Sequence, residues 1–131
     1  MKALLSIQMA EKAEEISFQS AYEQQIMQQY PELNTFGLDN FSDVNMISFA
    51  QELAKRSEHI LIVFESHHPD ANPNKLVKLM NVLIKEKPSY AKLVLLGQHL
   101  MIQKMGKALG ENFYAHPTDK ELMKIAEGLF A

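Results

Sequence analysis

The sequence predicts a three-layer α/β/α protein built on a five-stranded parallel sheet. Along the 131 residues, short apolar runs alternate five times with segments of helical periodicity. This alternation is typical of a parallel sheet with helices on both faces, because crossover connections between parallel strands are right-handed. The run Ile60–Phe64 is continuous and rich in β-branched residues, as expected of a strand buried on both faces.

The first strand and helix are predicted within residues 1–31. Ala3–Met9 is a mostly apolar run and is interpreted as an interior strand. Residues 10–30 then show helical periodicity, with an apolar or aromatic residue at every fourth position: Phe18, Tyr22, Ile26 and Tyr30. Pro31 is expected to end this helix. Residues 9–18 fit two alternatives, the first turns of the helix or a long loop after the strand.

The second strand and helix follow. Thr35–Leu38 is short with polar flanks, which favours a position at the edge of the sheet. Ser42 or Asp43 can cap the next helix, which is predicted to run to about Arg56. Six apolar residues form its predicted buried side: Met46, Ile47, Phe49, Ala50, Leu53 and Ala54.

The third helix is predicted to begin at Asn72-Pro73, because asparagine is a good cap and proline suits the first helical position. Pro88 predicts its end. Leu93–Leu96 is then a third interior strand by the same criterion as Ile60–Phe64.

The last elements are a helix, a short strand and a final helix. The fourth helix is expected to start near Gln98 and to be closed by Gly110. Asn112–Ala115 is a short strand of edge type. Thr118 and Glu121 have the spacing of a capping box at the start of the final helix.

The strand order 2-1-3-4-5 puts the two edge-type strands outside and the three interior-type strands inside. This is the order of flavodoxin-like proteins, and the resemblance is topological. The helix–strand segment Phe49–Glu65 also resembles the Toll-receptor-like and deoxyribosyltransferase-like groups, without a diagnostic motif from which functional residues could be assigned.

The composition predicts one soluble α/β domain, residues 1–131. The net charge of -3 gives no reason to expect a nucleic-acid partner or an anionic-membrane partner. The chain has no cysteine, and no apolar stretch approaches the roughly 20 residues of a membrane span. The apolar start of the chain stops at Gln8 without a cleavage-site pattern, so a cytoplasmic location is expected.

A conventional nucleotide cofactor is not expected. The residues that follow the first strand, Gln8–Lys12, contain no glycine, so neither a dinucleotide fingerprint nor a P-loop is present. Receiver-domain chemistry is also disfavoured, because the first and third strands end in Gln8 and Glu65 rather than in clustered aspartates.

The candidate site lies at the carboxyl ends of the strands, where α/β proteins usually bind ligands. Glu65, His67 and His68 end the third strand, and His99 and His116 follow the fourth and fifth. Loops favour polar side chains in any case, which is the alternative explanation of this clustering. We expect Glu65, His67, His68 and His99 to line one crevice, with the first three as candidate acid–base residues.

Anion binding is a further possibility, since the helices near Asn72 and Gln98 are expected to point their N-termini at this edge, with Lys75 nearby. No metal site is expected, because adjacent histidines usually diverge and the helical i, i+4 spacing of histidines is absent. The predicted ligand-binding residues are therefore Gln8, Asn72, Lys75, His99 and His116.

Two functional interpretations stay open. One is a binding or interaction module without a conventional cofactor, with a shallow edge and an apolar contact surface elsewhere. The other is a small enzyme acting on a polar or anionic metabolite, for example a nucleotide-derived one, through Glu65, His67 and His68. A homodimer, if one forms, is expected to use helix faces, because the edge strands are short.

Overall fold

The sheet has the predicted order. A computed structural model describes residues 1–86 and 90–131, and its single sheet has five parallel strands in the order β2-β1-β3-β4-β5. The strands are β1 (Lys2–Met9), β2 (Asn34–Asp39), β3 (His59–Ser66), β4 (Ala91–Leu96) and β5 (Phe113–Ala115). The flavodoxin-like order is therefore confirmed.

Five helices cover the two faces of the sheet, and each face has its own apolar core. The helices are α1 (Ala21–Gln29), α2 (Val44–Arg56), α3 (Leu76–Glu86), α4 (Leu100–Ala108) and α5 (Asp119–Phe130). Helices α2, α3 and α4 pack on one face, and α1 and α5 on the other. Ile60–Phe64 is at most 1% exposed. Each such side chain contributes about 1.5–3 kcal/mol through burial.

The alternation of β1 determines which face receives its polar residues. Leu5 and Ile7 belong to the core beneath α2–α4, whereas Leu4 belongs to the core beneath α1 and α5. Because side chains in a strand alternate with period two, Ser6 and Gln8 share the face of Leu4. Two polar residues of an interior strand thus lie on the face covered by α1.

The first helix is shorter than the periodicity predicts. It begins at Ala21, where Ser20 and Glu23 form a capping box, and residues 10–20 form a loop with one 3₁₀ turn at Ala13–Glu15. The loop alternative for residues 9–18 is therefore confirmed. The placement of Phe18 on the buried stripe is wrong, because Phe18 lies in this loop and is fully exposed.

The third helix begins later than Asn72-Pro73 predicts. Its first residue is Leu76, because Asn74 adopts a left-handed backbone with φ of 51° that a helix cannot include. Asparagine tolerates this conformation better than most residues. The predicted stop at Pro88 lies outside the described residues.

Two predicted helix caps are confirmed, whereas the predicted buried side of α2 is wrong at two residues. The Asp43 side chain accepts a hydrogen bond from the Met46 backbone N–H at 2.9 Å, and the capping box of Thr118 and Glu121 is present. Met46 is 37% exposed and Phe49 is 55% exposed, so their prediction as core residues is wrong. No helix within residues 1–86 or 90–131 is long and apolar enough to cross a membrane.

Candidate functional site

Gln8 connects the end of β1 to the following loop. Its Nε2 donates to the Ser17 carbonyl at 2.6 Å, and its Oε1 accepts from the Ser17 backbone N–H at 2.9 Å. The same Oε1 lies 2.8 Å from His67 Nε2. Because the two Ser17 contacts define the orientation of the amide, His67 must donate here, and its Nε2 carries a proton.

Glu65 extends this arrangement to the start of α1. Its Oε1 accepts a hydrogen bond from the Ser20 hydroxyl at 2.9 Å and lies 3.5 Å from His67 Nε2. Gln8 and Glu65 are direct neighbours in the register of β1 and β3. We call Gln8, Ser17, Ser20, Glu65 and His67 the Gln8 network; it joins the ends of β1 and β3 to the loop before α1.

His68 points away from this network, as expected of adjacent histidines. Its Nε2 lies 3.3 Å from a carboxylate oxygen of Glu11, and its Nδ1 accepts from the Asp70 backbone N–H at 3.1 Å. The side chains of His68 and Glu11 are 38% and 61% exposed, so solvent screens their interaction.

His99 caps α4 and is 4% exposed. Its Nδ1 accepts from the Ile102 backbone N–H at 3.4 Å, and its Nε2 lies 2.7 Å from the Ala71 carbonyl. Because a carbonyl only accepts, Nε2 is the donor, and both ring nitrogens are engaged in holding the β3–α3 loop against α4.

Asn40, which the sequence analysis does not single out, connects three loops. It is 3% exposed. Its Nδ2 donates to the Ala10 and Asn72 carbonyls at 2.8 and 2.7 Å, while its Oδ1 accepts from the Ala10 backbone N–H at 3.0 Å. Its partners are 30 and 32 residues away along the chain, so local sequence carries no signal for them.

The predicted site residues thus occupy several places. Gln8, Glu65 and His67 meet in one network. Asn72 and His99 line a groove of about 510 Å³ between the loop of residues 69–73 and the start of α4. The other two predicted ligand-binding residues lie elsewhere: Lys75 is exposed before α3, and His116 lines a separate hollow of about 400 Å³.

A cavity of about 370 Å³ lies beside the Gln8 network, and we call it the β2 cavity. It is lined by Ser6, Gln8, Ile16, Ser17, Phe18, Glu23, Gly37, Leu38 and Asp39. Gly37 is the register partner of Ser6 and leaves room above the sheet. A Cβ added at Gly37 would meet only the Ser6 carbonyl, at 3.9 Å.

Polar groups around the β2 cavity are buried without full hydrogen bonding. Among the described residues, neither the Ser6 hydroxyl nor the neighbouring Tyr22 hydroxyl has a hydrogen-bond partner of good geometry. Burial raises the pKa of Tyr22 and the pKa of Glu23 above their usual values, and the charge of Glu65 raises both further. The proximity of the Ser6 hydroxyl lowers both pKa values but does not offset burial.

The sequence analysis missed the β2 cavity, although two signals were present. Ser6 is a hydroxyl residue within an otherwise apolar interior strand, and Gly37 is a glycine within a strand, which often marks a close approach of a ligand or backbone. Asp39 carried no distinguishing pattern, and Glu23 has the spacing of a capping box with Ser20, which indicates a helix start and not a cavity.

No metal site is evident: within the described ranges, His, Asp and Glu form no group of three or more that could hold a metal ion. No protein-family model matches the chain, and comparisons with curated proteins and with solved structures find no significant similarity.

Proposed function

We propose that this protein is a binding module without catalytic activity and that its ligand occupies the β2 cavity. The observation that carries this proposal is the β2 cavity itself, which lies at the carboxyl ends of β1 and β2, where proteins of this fold class usually bind ligands. Polar side chains of both strands meet Ile16 and the exposed Phe18 of the loop before α1 there.

The contacts of the Gln8 network also favour a binding module over an enzyme. A general acid or base needs a proton-transfer contact with its substrate. The His67 Nε2 proton is engaged by Gln8, Glu65 accepts from Ser20, and the Ser17 backbone covers Gln8. These contacts serve to hold residues 11–20 against the sheet, which is a structural role.

The second candidate is the small enzyme that acts on a polar or anionic metabolite through Glu65, His67 and His68. The 3.5 Å contact between Glu65 and His67 favours it. The side chains of His67 and Glu65 are 25% and 22% exposed. We keep a cytoplasmic location and the absence of a conventional nucleotide cofactor as parts of the proposal on sequence grounds. A homodimer, if one forms, is still expected to use helix faces.

Gly37→Val tests the proposal directly. The backbone of Gly37 accepts a side chain, the space above it is open, and β-branched residues suit strands. We expect the variant to fold and to lose ligand binding. The measurement is an NMR screen of cationic, neutral and anionic fragments against ¹⁵N-labelled protein, in which hits should move the amide signals of Ser17, Glu23 and Gly37 in the wild type.

Thr35→Val is the matched control, because Thr35 lies on the same strand and the same face but outside the lining of the cavity. It should retain every hit. The proposal fails if Gly37→Val binds the same fragments with unchanged affinity. It also fails if hits act only at Glu65 and His67 and are turned over, which is the result that the enzyme alternative predicts.

A further inference from the structure

We infer that this protein forms a weak homodimer in which the outer flank of α2 packs antiparallel against the same flank of a second copy. Three observations support this dimer: an uncovered apolar centre, opposite charges at the two ends of the flank, and the symmetry of their arrangement. The surface lies on the opposite face of the sheet from α1 and is independent of the β2 cavity. The outer flank is the side of α2 that borders β2, and its exposed residues are Asn45, Met46, Phe49, Glu52 and Arg56.

The position of α2 leaves this flank uncovered. β2 is the edge strand of the sheet, and α2 packs on β1 and β2 with α3 along one side. Its other side extends over the outer edge of β2, where the described residues place no further helix, because α1 and α5 cover the opposite face. The outer flank is therefore open to a second molecule.

Phe49 forms the apolar centre of the outer flank. Its ring contacts the ring of Phe36 on β2 with centroids 4.6 Å apart, so Phe49 points toward the edge strand. More than half of Phe49 stays exposed, and Met46, one turn earlier, is exposed as well. With the partly buried Phe36, these side chains form one contiguous apolar patch of roughly 200 Å², in contrast to apolar residues that are exposed singly.

The two ends of the outer flank carry opposite charges. Asp43 caps the N-terminus of α2, and Asp39 ends the strand beside it. At the other end, Arg56 lies in the last turn of α2, and its side chain is largely exposed. Its contact with Glu52 at 3.8 Å is a surface ion pair, which is weak, so the guanidinium group can also bind a carboxylate of a partner.

The arrangement of charge and apolar surface matches a second copy of the chain. Phe49 is the sixth of the 13 residues of α2 and thus lies near its midpoint. A copy rotated about a twofold axis through this midpoint brings Phe49 against Phe49 and Arg56 against the acidic end, and each contact occurs twice. A partner of uniform charge would match one end of the flank and be repelled by the other.

The size of the outer flank indicates that the dimer is weak. Helix α2 is about 20 Å long, and the six residues of β2 beside it span a similar length. A surface of this length and one helix wide is smaller than the roughly 800 Å² per partner of a stable interface. We therefore expect a dissociation constant of tens to hundreds of micromolar, with contact through the helix flanks.

Sedimentation velocity of the full-length protein from about 10 μM to about 1 mM tests the dimer. The sedimentation coefficient should rise with concentration, and the amide signals of Met46, Phe49 and Arg56 should shift with it in NMR. Phe49→Gln should weaken association at least tenfold, because the dimer loses two apolar side chains. Phe41→Gln is the matched control and should have no effect, since Phe41 is similarly exposed but lines a hollow beside His68.

Two charge variants test the antiparallel arrangement. Arg56→Glu places a carboxylate against the partner's acidic end, and Asn45→Lys places an ammonium group against the partner's basic end. Each alone should weaken association about tenfold. An equimolar mixture should recover the wild-type association, because the mixed dimer pairs opposite charges at both ends. Lys55→Glu is the control and should have no effect, since Lys55 is rotated by about 100° around the helix from Arg56.

Three results overturn the proposal. One is a protein that stays monomeric up to about 1 mM. Another is a dimer that Phe49→Gln does not weaken although the variant keeps its native circular dichroism, because the contact then lies elsewhere. The third is a mixture of Arg56→Glu and Asn45→Lys that associates no better than either variant alone. None of these results bears on the β2 cavity, which Gly37→Val tests separately.

Discussion

Two neighbouring regions at the end of β1 differ in whether their buried polar side chains are hydrogen-bonded. In the Gln8 network, the amide of Gln8 has partners on both of its polar atoms. Beside the β2 cavity, the Ser6 hydroxyl makes no hydrogen bond of good geometry with any described residue. Ser6 and Gln8 lie two residues apart on one strand and on one face, and they are 4% and 6% exposed.

The difference shows that burial alone does not indicate whether a polar side chain has hydrogen-bond partners. Both residues are buried polar groups near the carboxyl edge, where ligands usually bind in this class of fold. A buried polar group with all its partners rigidifies the fold, whereas one without a partner of good geometry leaves part of its desolvation cost uncompensated. The histidines and carboxylate that stand out in the sequence belong largely to the first kind.

The largest expected effect comes from the apolar layer beneath both regions. Val63 is fully buried and is the register partner of Ser6. Val63→Asp places an unpaired carboxylate there, at a cost of several kcal/mol against a total stability of about 5–15 kcal/mol. We expect no native fold by circular dichroism. A soluble variant with cooperative, native-like thermal unfolding would show that this layer tolerates charge.

His99, at the start of α4, is a second buried polar residue with hydrogen-bond partners on all its polar side-chain atoms. His99→Leu removes the cap of α4 and the contact with Ala71, and urea denaturation should show a loss of about 2 kcal/mol. His99→Asn keeps a capping acceptor and should recover about half of that loss. Equal stability of His99→Leu and the wild type would contradict a structural role.

The smallest effect concerns the charge at the β2 cavity. Because burial raises the pKa of Glu23, its contribution to stability is fully present below its unfolded pKa near 4.5 and is lost as the pH rises through its folded pKa. Glu23→Gln should therefore be more stable than the wild type at neutral pH, by a few tenths of a kcal/mol after solvent screening, with no advantage at low pH.

The matched comparison is Glu121→Gln in α5. Hydrogen bonds from Thr118 lower the pKa of Glu121, so this group stabilises the fold above its unfolded pKa and loses that contribution as the pH falls. The variant should be less stable than the wild type at neutral pH. Urea denaturation at neutral and low pH checks both variants, and shifts of the same sign would contradict the account.

The strand order was predictable because local composition distinguishes interior from edge strands. The continuous apolar run Ile60–Phe64 is typical of a strand covered on both faces, whereas the short Thr35–Leu38 with its polar flanks is typical of an edge strand. The start of the first helix was not predictable from periodicity, because the Ser20 capping box competes with a stripe that only appears to include Phe18. The start of α3 depended on the left-handed backbone of Asn74, which the residue type permits but does not require.

The site was predictable only in part. Parallel strands end at one edge, so Glu65, His67, His68 and His99 were expected to line one crevice. Glu65 and His67 meet there, whereas His68 contacts Glu11 and His99 caps α4. The contacts of Asn40 join residues 30 or more positions apart, and no short pattern encodes them. The β2 cavity depends on the path of the loop before α1 and on a missing side chain at Gly37, so it became visible only in three dimensions.

The most direct test of the central claim compares the two polar residues of β1 by urea denaturation. Gln8→Leu should lose about 2–3 kcal/mol, because Ser17 and His67 lose their partners. Ser6→Ala should change stability by less than about 1 kcal/mol, or raise it, because it removes a hydroxyl that makes no hydrogen bond of good geometry within residues 1–86 and 90–131. A loss in Ser6→Ala as large as that in Gln8→Leu would contradict the distinction between a partnered network and an open binding cavity.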